Sequence, residues 1–301
     1  MYKVAVLMAT YNGERYLEEQ LLSIFAQQGV ELTVWVRDDG STDSTHEILD
    51  TWKKKGCLDW YTGPSLGPAN SFMDLLQTAP DADFYAFSDQ DDYWLPKKLQ
   101  TAVSSLGTAH ERGENCLYFC KTQLVDKDLN FLPSPQLDLK LTFAEALIYQ
   151  FVGGNTMVLN RRFRAVLNSY KSEYVCMHDV WIYDVAMAIR AYVHFDKEPQ
   201  IYYRQHGNNV TGNGLSTWTE WKRRFNRLIQ KREHSRYRTA CEIRKGFQSL
   251  MDEENVDILC RITDYNKSLS AWWRLLTDST FECGDKRTNL FFRLAVLVRS
   301  L

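Results

Sequence analysis

The 301-residue sequence predicts an α/β protein built on a mostly parallel sheet, with a basic helical extension behind it. Three observations carry the prediction. Short apolar runs alternate with segments of helical period through the first half, the pattern of strands buried on both faces. Three of those segments end in a polar motif, at the carboxyl ends where sheets of this kind bind ligands. The charge is also divided. Residues 1–215 carry 19 Lys/Arg against 27 Asp/Glu, a net of -8, whereas residues 216–301 carry 17 against 11, a net of +6. The break follows the Gly-rich "HGNNVTGNG" (206–214), which reads as a linker or loop and divides the chain into a domain, 1–215, and an extension, 216–301.

In chain order, "KVAVLMAT" (3–10) is an apolar strand. A helix follows, with Leu17, Leu21, Ile24 and Phe25 at helical spacing, Asn12 as a candidate cap and Gly29 as its stop. "LTVWV" (32–36) is the next strand, then "DDGSTD" (38–43) and a helix reaching Gly56. A helix around 69–78 precedes the strand "FYAF" (84–87), and Pro96 opens another helix as a first-turn proline. Beyond residue 115 the rhythm loosens. "CLYFC" (116–120), "TMVLN" (156–160), "AYVHF" (191–195) and "QIYYR" (200–204) read as strands. Thr142 and Glu145 form a capping box for a short helix. From 216 onward the period is helical and the face basic.

Several classes are excluded or disfavoured. Seven scattered cysteines without a CxxC pair read as reduced thiols rather than a disulfide or zinc framework. The apolar opening is too short for a secretory segment, and no run approaches the roughly 20 apolar residues of a membrane span. The acidic front half argues against nucleic acid. There is no GxxxxGK[ST] or GxGxxG loop to cradle phosphates.

Three motifs carry the chemistry. In "RDDGSTD" (37–43) a strand-end carboxylate can accept from a base or a ribose, and Gly40 permits a tight turn; the bland alternative is a well-capped βα turn. "SDQDD" (88–92) crowds Asp89, Asp91 and Asp92 into four positions, and such charges repel by a few kcal/mol at about 4 Å. Either the turn is well solvated or a cation sits there, in the manner of Mg²⁺ or Mn²⁺ held by one or two carboxylates and substrate phosphates. In "MHDVWIYD" (177–184), Asp179 reads on its own as an N-cap for the helix beginning near Val180.

The segments "LMATYNGERYLEEQLLSI", "RDDGSTDST" and "FSDQDDYWLPKKL" resemble the family-2 inverting glycosyltransferases of GT-A fold, with "SDQDD" closest to the bacterial rhamnosyltransferase branch. "HDVWIYDVA" (178–186) and "YYRQHGNNVTG" (202–212) match in the same order, so the resemblance spans roughly 1–215. It implies a GT-A nucleotide-diphospho-sugar transferase fold with a Rossmann-like sheet. It also implies Thr10, Tyr11 and Glu14 in the nucleotide pocket, Asp38 and Asp39 at base and ribose, and Asp89 nearer the ribose. Asp91 becomes the leading ligand for Mn²⁺ or Mg²⁺, Asp92 a ligand or a support, and Asp179 the base, with His178 the weaker candidate. Arg204 is assigned to the diphosphate, His206 to the metal, and "FVGGNT" (151–156) to an acceptor loop or a plain turn. The implied reaction moves L-rhamnose from dTDP-β-L-rhamnose to a bacterial surface glycan or lipid-linked saccharide. A UDP-hexose-dependent transferase, a nucleotidyltransferase and a silent nucleotide-binding module are the alternatives. The implied location is cytoplasmic, and "WTEWKRRFNRLIQKR" (218–232) reads as a membrane-surface helix or one packed on the domain.

Overall fold

Alternation along β1 (Lys3–Thr10) sets the architecture: Val4, Val6 and Met8 join the core on one side of the sheet, Ala5 and Leu7 the core on the other, all fully buried. The computed structural model describes residues 1–134, 138–149, 151–205 and 235–301. After β1 come α1 (Leu17–Phe25), β2 (Glu31–Asp38), α2 (Thr45–Lys54), β3 (Leu58–Thr62), α3 (Pro68–Thr78) and β4 (Phe84–Ser88). Then follow β5 (Tyr93–Trp94), α4 (Lys98–Glu111), β6 (Cys116–Val125), α5 (Phe143–Ala146), β7 (Val158–Asn160), α6 (Arg161–Asn168), α7 (His178–Ala188) and β8 (Tyr192–Arg204). The chain continues through α8 (Ser235–Phe247), α9 (Glu253–Thr263), α10 (Leu269–Thr277) and α11 (Lys286–Leu297).

One sheet holds all eight strands in the order β3-β2-β1-β4-β7-β6-β8-β5. Its first four strands are parallel, β7 runs antiparallel to both neighbours, β6 and β8 are parallel, and β5 pairs antiparallel with β8. The sheet is therefore mixed, and parallel mainly where the motifs lie. Leu21, Ile24, Leu99 and Leu106 cover one face; Phe72, Leu75, Phe163 and Trp181 cover the other.

Half of the expected capping box forms, Glu145 N–H donating to Thr142 Oγ1 at 3.2 Å; the Glu145 carboxylate reaches the N–H groups of Lys140 and Leu141 instead of Thr142. Asn12 does not cap α1, which begins at Leu17 without a side-chain cap; it stands in a left-handed conformation (φ 48°) and binds the neighbouring loop. The two short aromatic runs near 191–204 are one long strand, β8. Strands β3 and β5 and helix α6 were not expected from the sequence.

The extension packs on the α/β layers. Ile243 and Phe247 of α8, Leu259 and Ile262 of α9, and Phe292 and Val296 of α11 belong to the same buried cluster as Trp181 and Ile182 of α7. The basic segment 218–232 and the Gly-rich 206–214 lie outside the described residues.

Candidate active site

Strands β1, β2 and β4 are adjacent and in register, Thr10 beside Asp38 and Met8 beside Ser88, so the loops 10–14, 38–43 and 88–92 leave one edge together. The first two loops are stitched to each other. Asn12 N–H donates to Ser41 Oγ at 2.8 Å, Thr42 N–H to Asn12 Oδ1 at 2.8 Å, and Gly13 N–H to Thr45 Oγ1 at 2.8 Å. Glu14 accepts from Ser44 N–H at 3.0 Å while its own N–H donates to Asp43 at 3.1 Å. Gly40, at φ 89°, makes the turn that a side chain would strain. Tyr11 is left 57% exposed at the mouth.

Asp38 is fully buried and its oxygens are occupied. It accepts from Thr10 Oγ1 (3.0 Å), Ser41 Oγ (2.5 Å), the N–H groups of Gly40 and Ser41, and His46 Nε2 (2.7 Å). These bonds hold its carboxyl below the usual range despite the opposing effect of burial. Thr10 and Asp38 thus brace the loop from behind. Asp39 is buried too, paired with Arg37 and accepting from Ser71 Oγ at 2.5 Å. Arg37 is itself completely buried, donating to Asp74 (3.0 Å), Ser71 (2.8 Å) and the Pro64 carbonyl (2.7 Å). Arg37 was not singled out in the sequence, where an arginine before two aspartates looks like surface.

The "SDQDD" turn alternates in use. Asp89 and Asp91 retain partial exposure, whereas Asp92 is fully buried and accepts from Asn155 Nδ2 at 2.6 Å and Arg204 N–H at 3.3 Å. Asp92 is therefore the support. Burial, with the nearby charges of Asp91 and Asp179, pushes the Asp89 carboxyl up to about 7. Behind it lies Lys98, fully buried, its Nζ 3.2 Å from the Trp94 ring centre and without a hydrogen bond. Burial lowers that ammonium to about 7, against the pull of Cys120, Asp92 and Asp89. One weakened cation does not balance three carboxylates.

Asp179 lies in the first turn of α7, after the Met177 cap, where the helix dipole favours an anion. Its Oδ1 accepts from Val180 N–H at 2.7 Å and its Oδ2 from Gly154 N–H at 3.2 Å. Gly154 begins a single 3-10 turn (Gly154–Thr156) in the "FVGGNT" loop, and a Cβ there would overlap the His178 imidazole. His178 is 4% exposed, packed 4.1 Å from the Phe72 ring centre, with neither ring nitrogen hydrogen-bonded and its basicity lowered by burial. It is neutral packing at the root of the helix. Arg204 is 2% exposed and clamps Glu19, the Asp91 carbonyl (3.0 Å) and the Lys127 carbonyl (2.6 Å), which directs it at the turn rather than at open solvent. His206 lies outside the described residues.

The site thus gathers Tyr11, Asp39, Asp89, Asp91 and Asp179 at one mouth, backed by Thr10, Glu14, Asp38, Asp92 and Arg204. Among the described residues no set of three or more His, Cys, Asp or Glu side chains converges to hold a cation alone. Two partly exposed carboxylates, one of them pushed toward proton uptake by burial and by its acidic neighbours, fit a divalent half-site that phosphates complete.

Comparison with known proteins identifies the family and the fold. The glycosyl transferase family 2 model matches residues 5–118. A dTDP-rhamnosyl transferase of Shigella flexneri is 30% identical over 227 residues, 72% of this chain and 77% of that protein. Among solved structures, TarS 1-349 of S. aureus in complex with UDP-GlcNAc superposes with a TM-score of 0.62 at 18% identity, covering 99% of this chain and 89% of that one. The mannosyltransferase PcManGT of Pyrobaculum calidifontis, in complex with GDP-Man and Mn²⁺, gives 0.52 at 18% identity over 99% and 85%. Strand-end carboxylates, mixed sheet and relatives together place the chain in glycosyl transferase family 2, with a GT-A fold.

Proposed function

We propose that the protein transfers L-rhamnose from dTDP-β-L-rhamnose to a hydroxyl of a bacterial glycan acceptor, with inversion and with Mn²⁺ or Mg²⁺. The observation that carries the chemistry is the convergence of Asp89, Asp91 and Asp179 at the rim where β1, β2 and β4 end. The sugar identity is supported by the dTDP-rhamnosyl relative. Tyr11 and Asp39 would contact the base and ribose, and Asp91, with Asp89 beside it, would hold a divalent cation.

A divalent cation held by these carboxylates would supply positive charge to offset that on the leaving diphosphate. Asp179 takes the proton of the acceptor hydroxyl as its oxygen bonds to the anomeric carbon. The bond from that carbon to the diphosphate oxygen breaks, and the electron pair leaves with the nucleoside diphosphate. A single displacement inverts the centre. Asp179 is held for this by Gly154 N–H and Val180 N–H, two bonds that fix both carboxylate oxygens while leaving lone pairs free.

The second reading is a UDP-hexose donor, favoured by the fold's likeness to a UDP-GlcNAc complex. Turnover measured with dTDP-β-L-rhamnose, UDP-glucose and UDP-GlcNAc in the presence of Mn²⁺ separates the two. Activity confined to a UDP-sugar would end the rhamnosyl reading.

A further inference from the structure

We propose that Gln90, the residue between the two partly exposed carboxylates of the turn, is a positioning residue that sets the distance between the nucleotide loop and the carboxylate pair. Its side-chain amide pairs with the backbone of Tyr11 as a neighbouring strand would. Tyr11 N–H donates to Gln90 Oε1 at 2.9 Å, and Gln90 Nε2 donates to the Tyr11 carbonyl at 3.0 Å. Tyr11 is the first residue past the end of β1, so its peptide groups have left the ladder. The amide supplies the partner they lost.

Two further features show that the contact is built in. Gly13 has an ordinary backbone conformation, yet a Cβ on it would overlap the Gln90 amide, so the loop approaches to a distance only glycine permits. The residue type is also specific. A glutamate would set an oxygen against the Tyr11 carbonyl, losing one bond, and would add a fourth negative charge beside Asp89, Asp91 and Asp92. Because Asp89 and Asp91 flank Gln90, the placement of Tyr11 is transmitted to both carboxylates at once. The even positions of the turn therefore tie it down on two sides, Gln90 to the nucleotide loop and Asp92 to Asn155 beside the proton acceptor.

This role rests on the reading that loop 10–14 meets the nucleotide and Asp91 the cation. The test compares full-length wild type with Gln90→Ala, Gln90→Glu, Gly13→Ala and the Gly13→Ala/Gln90→Ala double variant. The measurements are kcat and KM for the donor sugar at saturating Mn²⁺, and Tm. Misplacement of the two half-sites should lower kcat/KM by about tenfold to a hundredfold in each single variant at temperatures where all are folded. The double variant should lose no more than Gly13→Ala alone, because the alanine has already displaced the amide. Gln90→Glu, nearly isosteric, keeps the test valid if Gln90→Ala folds poorly. A Tm loss with kcat/KM within about twofold of wild type would reduce Gln90 to a stabilising contact, and losses that multiply would show that Gly13 and Gln90 act separately. Absence of turnover of any nucleotide sugar by wild type would instead remove the glycosyl-transfer reading, and the role of Gln90 with it.

Discussion

Replacing Asp89 by asparagine should make the metal-free protein more stable at alkaline pH while damaging its chemistry. The Asp89 carboxyl is raised from 3.8 to about 7, chiefly by burial and then by Asp91 and Asp179. A carboxyl raised in the folded state contributes stability that is fully present below its unfolded value, near pH 4. That contribution is lost as pH rises through 7. A change of about three pH units corresponds to a ceiling of about 4 kcal/mol. Partial exposure of the side chain trims this to about 2–4 kcal/mol. For 301 residues the unfolding entropy is about 0.6 kcal/mol/K, so the expected difference in Tm is about 3–6 °C. Asp89→Asn carries no charge at any pH and escapes the cost. In EDTA at pH 8 it should melt above wild type, with the gap narrowing as pH falls through 7 toward 4. The trend due to His178, whose surroundings exclude Asp89, is common to both proteins and cancels in the difference, whereas Lys98 loses the pull of Asp89 in the variant. Mn²⁺ with a nucleoside diphosphate should raise the Tm of wild type more than that of the variant, and more at pH 8 than at pH 6. A variant that melts at or below wild type in EDTA at pH 8, or a gap independent of pH, would refute the assignment of buried, uncompensated charge to Asp89.

Asp179→Asn should lower kcat by about 10²–10⁴ with the nucleotide Kd unchanged, since one N–H acceptor remains and the proton acceptor does not; isothermal titration with steady-state kinetics checks both. Asp91→Asn should weaken the Mn²⁺ dependence of turnover by about an order of magnitude or more, because it removes one of only one or two protein ligands; equal activation curves would remove Asp91 from the metal. Leu269 and Trp273, one turn apart on α10, are 74% and 60% exposed on a basic extension. If they seat on anionic lipid, co-sedimentation of the full-length protein with phosphatidylglycerol vesicles should fall with salt and with Trp273→Ser, and salt-insensitive, negligible sedimentation would count against it.

Much of this was legible in the residues, for identifiable reasons. Strand β1 declares itself because both faces are buried, and α1 because Leu17, Leu21 and Ile24 line one side. The edge strands β3 and β5 were not legible: "LDWYT" mixes charge with aromatics, and the two residues of β5 acquire strand geometry only from Tyr202 and Ile201 of β8. The mouth was read from the three strand-end motifs. What was not legible was which acids face solvent and which brace the loops. Asp92 looks like Asp91 in sequence, and Asp38 and Asp39, which also look alike, are both buried but held by different groups. Their partners decide the difference, and those partners include Asn155, 63 residues away. Gln90 was hidden for the same reason, its partner lying 79 residues upstream.

The sheet order bears on how the protein is made. Strand β4 is flanked on one side by β1 and on the other by β7, and β5 has its partner in β8. A ribosome adding about 5–20 residues per second therefore exposes Phe84, Tyr85, Ala86 and Phe87 for several seconds before Val158–Asn160 can arrive, and longer before Arg204 does. During that interval β4 is a bare, wholly apolar edge, the kind of template that recruits other nascent chains. A fragment ending at residue 118, where the match to the family model stops, would keep that edge permanently and should aggregate rather than fold. The stretch easiest to recognise is thus not expected to fold alone, and the growing chain is most open to aggregation between the emergence of β4 and that of β7.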